Sequence, residues 1–273
     1  MPSDLLLLPL GVLVGALGTL IGAGGGFILV PLLLLLKPGE SPETITSVSL
    51  AVVFFNALSG SLAYARMRRI DYRSGLLFAA ATVPGAIAGA LATSRIPRRA
   101  FDILFGCLMI ALSFLLVARP EPERGAAAPT GPGVVTRRIV DRDGRAHEFS
   151  FRPSVGVLFS LGAGFLSSLL GIGGGVIHVP ALVHVLSFPV HIATATSQFV
   201  LLVMALVGTG VHVADGTLSQ GAGQTGILAA GVIAGAQLGA VLSRRLNGAR
   251  IVRTLGTALG LVGVRILIAA LRV

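Results

Sequence analysis

Residues 22–31 read GAGGGFILVP and residues 171–180 read GIGGGVIHVP, so one glycine-rich motif occurs twice, 149 residues apart. Each copy lies inside a long apolar stretch, where successive glycines are costly unless the backbone adopts a special conformation there. A duplicated helix-breaking motif in an apolar chain indicates a transport site that is built from two related halves.

The composition is that of a membrane protein. Of the 273 residues, 54% are hydrophobic and 12% are charged, and the mean hydropathy is +0.91. A soluble domain carries about 25% charged residues. The apolar runs at 74–94, 100–118, 222–242 and 254–271 are each long enough to cross a hydrocarbon core of about 30 Å. The sequence therefore predicts an all-α polytopic membrane protein, located in the cell (inner) membrane.

The net charge of +10 raises the alternative of nucleic-acid binding. Lys and Arg cluster between the apolar spans, however, as they do in the cytoplasmic loops of membrane proteins. The lipid bilayer is therefore the expected partner, and nucleic acid is not. The single cysteine, Cys107, cannot form an internal disulfide. We expect no cofactor, no metal site and no enzymatic activity. A homodimer is a candidate assembly, because glycine-rich faces pack within or between chains.

Further matches accompany the repeated motif. TSVSL at 46–50 aligns with TATSQ at 194–198, and PGAIAGAL at 84–91 aligns with AGAQLGAV at 234–241. The chain therefore consists of two homologous repeats joined by a polar segment, for which a short hairpin around DRDG at 141–144 is predicted. The predicted domains are transmembrane repeat 1 (1–118), a solvated cytoplasmic linker (119–153) and transmembrane repeat 2 (154–273).

Each repeat contains a broken apolar segment followed by three spans. The first repeat has segments 5–36, 45–65, 74–94 and 100–118, and the second has 154–186, 192–213, 222–242 and 254–271. As straight helices the opening segments would be about 50 Å long, which is too long for one ordinary crossing. Their glycines, and Pro31 and Pro180 beyond them, mark where each helix is expected to break.

The loop charges favour a re-entrant arrangement of the opening segments. If each opening segment crosses the membrane once, the loop Lys and Arg residues divide 12 against 8 between the two sides, and if each turns back, they divide 15 against 5. The positive-inside rule prefers the second division. It leaves three full spans per repeat, so the two repeats would have inverted topology. Arg95, Arg98 and Arg99 then lie on the outer side, against the rule.

The glycine motifs are the first candidate for substrate binding. Successive glycines expose backbone N–H groups, and a helix that begins just after them presents its positive dipole end to an anion. Gly24, Gly25 and Gly26, with Gly173, Gly174 and Gly175, are the candidate residues. The alternative is purely structural, since glycines also let helices pack closely in lipid.

Polar side chains next to these motifs are the second candidate. Hydroxyl and amide donors bind an oxyanion without introducing charge, although they also serve as helix caps and bond back to their own helix. The set comprises Ser47, Ser49, Thr196, Ser197 and Gln198, with weaker cases at Asn56 and Gln237. His178 would bind substrate or a proton, or be a hydrogen-bonded histidine of the helix bundle. Arg265 is basic within a span, and it either serves the site or reaches the interface.

At these residues the chain resembles the sulfite exporter TauE/SafE family. The resemblance rests on GAGGGFILVP, GIGGGVIHVP, the paired TSVSL and TATSQ segments and the four-plus-four layout, and it covers nearly the whole chain. It implies a secondary transporter of sulfur-containing anions such as sulfite, thiosulfate or sulfoacetate. It also implies that the site comprises both glycine runs with Ser47, Ser49, Thr196 and Ser197. The first repeat has Leu29 where the second has His178, so the two halves differ at this position.

The sequence therefore predicts a secondary active exporter of a small anion that works by alternating access. A proton or a sodium ion is the candidate coupling ion. A channel, or a transporter for another small solute or a cation, is the alternative. A cation carrier would require buried carboxylates within the spans, and the sequence has no pair of acidic residues there.

Overall fold

The computed structural model describes residues 2–37, 39–118, 131–243 and 248–272. The first repeat contains five helices: α1 (Pro2–Ile21), α2 (Gly26–Leu36), α3 (Pro42–Arg66), α4 (Tyr72–Thr93) and α5 (Arg98–Ala118). The second contains α6 (Pro153–Leu170), α7 (Gly175–His184), α8 (Val190–Ala214), α9 (Ala222–Leu242) and α10 (Gly248–Arg272), with a short 3₁₀ helix at Thr217–Gly221. Between the repeats lie two strands, β1 (Val135–Val140) and β2 (Ala146–Phe151).

The predicted layout of a broken segment followed by three helices is present in both halves. Five helices of the described chain are long and apolar enough to cross a membrane, namely α3, α4, α6, α8 and the segment Thr217–Leu242 that contains α9. The protein is therefore a multi-pass helical membrane protein. The opening segments break at the glycines, between α1 and α2 and between α6 and α7.

Pro31 and Pro180 do not break helices, contrary to prediction. Each lies inside a helix, in α2 and α7 respectively. A proline in a helix interior removes one backbone hydrogen bond, and neighbouring helices compensate for this loss within membrane proteins. The glycines before each helix have already reversed the chain, so the helix that follows needs no second break.

Equivalent helices of the two repeats pack against each other in opposite directions. In α3 and α8, Gly60 lies against Gln198 whereas Gly208 lies against Leu50, so one helix ascends as the other descends. Helices α5 and α10 behave alike, since Gly106 lies against Gly263 and Ser113 lies against Gly260. Both of these pairs therefore run antiparallel.

Two further pairs are parallel and are held together by glycine. Gly11 and Gly15 of α1 pack on the backbone of α9 at Gly231 and Val232. In the equivalent pair, Gly85 and Gly89 of α4 pack on the backbone of α6 near Leu161 and Phe165. Such contacts bring backbones close together without requiring large side chains, which is how helices associate in lipid. The first helix of each repeat thus packs on a helix of the other repeat, α1 on α9 and α6 on α4.

The hairpin predicted around 141–144 is present, because β1 and β2 pair antiparallel from Val135 with Phe151 to Val140 with Ala146. It is docked on the helices rather than solvated. Phe149 and Phe151 are buried with Phe188, which precedes α8, and with Phe78 of α4. The alternation of β2 places these two phenylalanines on the same face, so a segment that reads as polar overall has one apolar side.

Asp141 organises the turn of the hairpin. Burial raises the pKa of its carboxyl, but backbone N–H groups of Arg145 and Asp143, the His147 ring and the Arg69 charge together hold the pKa below its usual range. Arg69 Nη2 lies 3.7 Å from a carboxylate oxygen of Asp141. Because Arg69 lies between α3 and α4, this ion pair joins the hairpin to the transmembrane body.

Candidate functional site

The glycine motifs form two tight turns in left-handed backbone conformations. Gly22, Gly24 and Gly25 have φ of 79°, 76° and 83°, and in the second turn Gly171 and Gly173 have φ of 67° and 69°. A side chain at such positions would be strained, which explains why glycine is needed. Gly174 departs from its counterpart, with φ of −58°. The two turns are therefore similar but not identical.

The two turns contact each other directly. A Cβ atom added to Gly26 would lie 2.6 Å from the carbonyl oxygen of Gly171, and one added to Gly175 would clash with the carbonyl oxygen of Gly22. Gly26 corresponds to Gly175 and Gly22 to Gly171, so the contact is reciprocal, as in a two-fold symmetric interface. All residues from 22 to 26 and from 171 to 175 are buried. The glycine turns of the two repeats thus meet inside the protein.

Two of the predicted hydroxyls hold these turns. Ser49 donates to the carbonyl oxygen of Gly171 at 2.6 Å, and Ser197 donates to that of Gly22 at 3.1 Å. Each serine therefore binds the turn of the other repeat, again reciprocally. Ser47 and Thr196 have different roles: Ser47 donates to Thr44 O of its own helix, and Thr196 Oγ1 accepts from the backbone N–H of Asp71.

The helices that follow the turns each begin with N–H groups that precede the first helical hydrogen bonds. The first bonds within α2 run from the N–H groups of Ile28 and Leu29 to Gly25 O, and those within α7 run from Ile177 and His178 to Gly174 O. The N–H groups of residues 25–27 and 174–176 precede these bonds and form the positive ends of the two helix dipoles. Both ends lie beside the glycine turns, and the turns contact each other.

Gln198 and Asn56 belong to one buried polar cluster with Thr19. Gln198 Nε2 and Thr19 Oγ1 both donate to Asn56 Oδ1, at 2.8 and 3.0 Å, and Asn56 Nδ2 donates to Gly15 O. Tyr64 donates its hydroxyl to Thr19 O. Gln198 Oε1 has no partner, although the residue is fully buried. This cluster joins α1, α3 and α8 beside the first glycine turn.

Thr19 and Tyr64 were not predicted as site residues. Thr19 lies three residues before Gly22, inside an apolar run, and this position was the one signal that the sequence offered. Tyr64 lies near the end of α3, where a tyrosine is typical of a membrane interface. Only the packing of α1 on α3 brings these residues to Asn56 and Gln198.

His178 is held in a structural arrangement. It is 3% exposed, its Nδ1 lies 3.3 Å from Gly174 O, and its Nε2 lies 3.1 Å from Ser160 Oγ. One ring nitrogen donates and the other accepts in this arrangement, so a neutral imidazole satisfies both contacts. The histidine thereby holds the backbone of the second glycine turn at Gly174.

The two other candidates lie away from the turns. Gln237 on α9 donates to Ser59 O and Ser59 Oγ, at 2.8 Å each, and it lines a pocket of about 230 Å³. The remaining residues of this pocket are Ala63, Arg66, Met67, Arg142, Asp143 and Val241. Arg265 is exposed on α10 and does not reach the centre. Its long side chain agrees with a position at the lipid or interface surface.

The pocket joins the hairpin to the helix bundle. Arg142 and Asp143 come from the hairpin turn, and Arg66 and Gln237 come from the ends of α3 and α9. The hairpin residues were missed as candidates, because 75 residues of sequence separate Met67 from Arg142 whereas the Arg142 N–H donates to Met67 O. No group of three or more metal-binding side chains occurs in the described ranges.

Comparison with known proteins identifies the family. The family model described as "Sulfite exporter TauE/SafE" matches residues 7–266. The chain is 32% identical over 271 residues to "Probable membrane transporter protein YunE" of Bacillus subtilis, with 97% of both chains covered. It is 28% identical to a probable membrane transporter protein of Methanocaldococcus jannaschii, with 75% and 72% covered. No solved structure matches the chain significantly. The protein therefore belongs to the sulfite exporter TauE/SafE family of membrane transporters.

Proposed function

We propose that this protein exports a small sulfur oxyanion, such as sulfite or thiosulfate, or an organosulfonate such as sulfoacetate, across the cell membrane by alternating access. The observation that carries the proposal is the meeting of two glycine turns and two helix N-termini inside the bundle. Backbone N–H groups at helix starts bind anions without a buried cation. The family name supports export of sulfite, and the substrate assignment rests on that name together with this geometry.

In the proposed mechanism the described structure is a closed state. The carbonyl oxygens of Gly171 and Ile172 occupy the space beside Gly26, so the two turns are in direct contact in this state. Rocking of one repeat against the other would separate the turns and open this space. The anion would then bind to the N–H groups of residues 25–27 and 174–176. Ser49 and Ser197 would exchange their carbonyl acceptors for oxygens of the substrate.

We also propose that the repeats have inverted topology and that the opening helix pairs are re-entrant. The antiparallel packing of α3 on α8 and of α5 on α10 supports a two-fold axis in the membrane plane. Helix α1 runs parallel to α3 and α9, so α2 must return toward the side where α3 begins. This arrangement places the loops with 15 Lys and Arg residues in the cytoplasm, and the pocket of Arg66 and Arg142 faces the same side.

Transport in proteoliposomes tests the function. Purified protein is reconstituted, and efflux of labelled sulfite, thiosulfate and sulfoacetate is measured with and without a pH gradient. We expect saturable flux of at least one of these anions, inhibited by the others. A variant with Gly26→Ala, in which the added Cβ meets the Gly171 carbonyl, should be inactive, and Gly162→Ala, in open space, should be active. If the wild-type protein moves no oxyanion, the proposal is wrong.

A further inference from the structure

The pocket of about 230 Å³ lies where the hairpin meets the helix bundle. The bundle lines it with Arg66, the last residue of α3, and with Gln237 of α9. The hairpin lines it with Arg142 and Asp143. The backbone N–H of Arg142 donates to Met67 O at 3.0 Å, so the turn of the hairpin is fixed against the end of α3. Two arginines from different parts of the chain therefore border a single pocket.

The charges that line the pocket favour an anion. Within the described ranges, neither Arg66 nor Arg142 has an ion pair or a side-chain hydrogen bond. Asp143 is the acidic residue of the lining, and a carboxylate oxygen of Asp143 lies 3.7 Å from Arg69 Nη2, so Arg69 compensates part of its charge. The amide of Gln237 is neutral. Positive charge is therefore in excess around the pocket, and it attracts a negatively charged ligand.

The size of the pocket limits what it can hold. Pockets that enclose drug-sized ligands measure about 300–1,000 Å³, and one water molecule takes about 30 Å³ of liquid. A volume of about 230 Å³ therefore admits a phosphate group with a few further heavy atoms, but not a nucleotide. The planar guanidinium group of arginine donates two parallel hydrogen bonds to a phosphate, so the side chains that line the pocket suit this group chemically.

The position of the pocket in the helix bundle indicates where such a phosphate comes from. Arg66 ends one candidate membrane span, and Val241, which also lines the pocket, is next to the last residue of the span Thr217–Leu242. The pocket therefore lies at the level of the membrane interface. Leu62 and Leu238, next in sequence to two lining residues, are each 52% exposed, as is Val241. Basic pockets between membrane helices bind anionic lipid headgroups, and exposed apolar side chains beside them contact the lipid chains.

We propose that Arg66 and Arg142 bind the phosphate group of an anionic phospholipid, whose hydrocarbon chains lie along Leu62 and Leu238. The bound phosphate joins the end of α3 to the turn of the hairpin, so the lipid strengthens the docking of the hairpin on the bundle. A free phosphate ion offers the same charge without the chains. The pocket shares no residue with the glycine turns, so this inference does not depend on the proposed function.

Lipid binding to the detergent-purified full chain is measured by native mass spectrometry. The probes are phosphatidylglycerol and, with the same chains, zwitterionic phosphatidylcholine. We expect phosphatidylglycerol to bind about tenfold more tightly or better, and Arg66→Gln and Arg142→Gln each to weaken its binding by about the same factor. Both arginines are exposed, so these variants should fold, and Arg145→Gln, exposed on the same turn but outside the pocket, is the matched control. Equal binding of the two lipids, or a preference that persists in both pocket variants, would overturn the proposal.

Amide exchange of residues 135–151 distinguishes a lipid from a soluble anion. The protein is placed in nanodiscs of phosphatidylcholine, of phosphatidylcholine with phosphatidylglycerol, and of phosphatidylcholine with inorganic phosphate in the buffer. We expect slower exchange with phosphatidylglycerol alone of the two additions, and no such protection in Arg142→Gln. Equal protection by inorganic phosphate would contradict the lipid assignment, and protection by neither would contradict the link between α3 and the hairpin. Neither measurement involves transport, so its failure is distinct from a failure of the proposed function.

Discussion

At the residue scale, the absence of a side chain at Gly26 permits the two glycine turns to come into contact. Its Cα hydrogens face the carbonyl groups of Gly171 and Ile172, and an added Cβ would approach both within 2.6–2.7 Å. Neither obstacle is a flexible side chain, so the backbone of a turn would have to move. The same holds for Gly175 against Gly22. Glycine is therefore needed both for the backbone conformation of each turn and for the close contact between the two turns.

The substitution Gly26→Ala is expected to lower the free energy of unfolding by about 1–3 kcal/mol, because overpacking a tight contact displaces backbone. Thermal unfolding of the detergent-purified protein measures this effect. Gly162→Ala is the matched control, since nothing lies within 4 Å of its added Cβ and alanine favours a helix. Equal stability of Gly26→Ala and the wild type would contradict the contact between the turns.

Gln198 allows a role in transport to be separated from a role in folding. Its Nε2 donates to Asn56, which stabilises the fold, whereas its Oε1 is buried without a partner, which destabilises the fold. We expect Gln198→Leu, which copies Leu50 of the first repeat, to change the free energy of unfolding by less than about 1.5 kcal/mol.

If the amide binds the anion, Gln198→Leu should lower kcat/KM about tenfold or more, since a hydrogen bond to a charged group contributes about 1.5–3 kcal/mol. Efflux rates in proteoliposomes, compared with the melting temperature of the same preparation, provide the measurement. A variant that melts and transports like the wild type would show that Gln198 has no part in the site.

At the element scale, the glycine turns are held by helices of the opposite repeat. Ser49 on α3 binds the turn after α6, and Ser197 on α8 binds the turn after α1. Because Ser49 and Ser197 occupy matching positions of the two repeats, the loss of either bond should have similar consequences. Each lost donor leaves a buried backbone carbonyl with fewer partners.

Ser49→Ala and Ser197→Ala are each expected to destabilise the protein by about 1–3 kcal/mol. Ser47→Ala should have a smaller effect, because Ser47 is equally buried on α3 but only bonds back to Thr44 O of its own helix. Denaturation of the three variants under the same conditions gives the comparison. Ser47→Ala as damaging as Ser49→Ala would argue against the specific role of the serines at the turns.

The docked hairpin has its own pH dependence. The pKa of Asp141 is below its usual range in the folded protein, so its carboxylate stabilises docking above the unfolded value of about 3.9, and this contribution is lost as the pH falls through the folded value. Amide exchange of residues 135–151 should therefore be slow and constant from about pH 5 to 8 and faster at about pH 3 and below, after correction for intrinsic rates.

In Asp141→Asn the same amides should exchange faster already near about pH 7, because a neutral amide accepts the backbone N–H groups of Asp143 and Arg145 more weakly than the buried carboxylate does. Asp143→Asn is the control, since Asp143 is more exposed and accepts none of the turn's backbone hydrogen bonds that Asp141 accepts. Protection that is independent of pH in the wild type would contradict the role of Asp141.

At the scale of the whole molecule, the order of elements was predictable and their partners were not. The duplicated glycine motif and the lengths of the apolar runs predicted a broken helix pair followed by three helices in each half, and the helix ends differ from the predicted ones by a few residues. The length of an apolar run carries this information, because a segment that crosses lipid must satisfy its own backbone as a helix.

The sequence could not show which helices pack together. It predicted Ser49 and Ser197 as polar groups of interest, but not that each binds the turn of the other repeat. It also did not show that the hairpin docks on the helices, since the burial of Phe149 and Phe151 depends on their contacts with Phe78 and Phe188. The prolines were assigned a break that the glycines alone produce. Which segments pack on each other depends on the three-dimensional fold, and the pattern of residues along the chain does not contain this information.

Inverted repeats require equivalent loops to lie on opposite sides of the membrane, and labelling of these loops from one side tests this. Arg73, at the start of α4, and Ser219, before α9, lie in corresponding connections of the two repeats and are both exposed. In a Cys107→Ser background, Arg73→Cys and Ser219→Cys are treated in intact cells with a membrane-impermeant maleimide. Labelling of Ser219→Cys in intact cells, with labelling of Arg73→Cys only after permeabilisation, is the predicted result. Labelling of both cysteines from the same side would contradict the account.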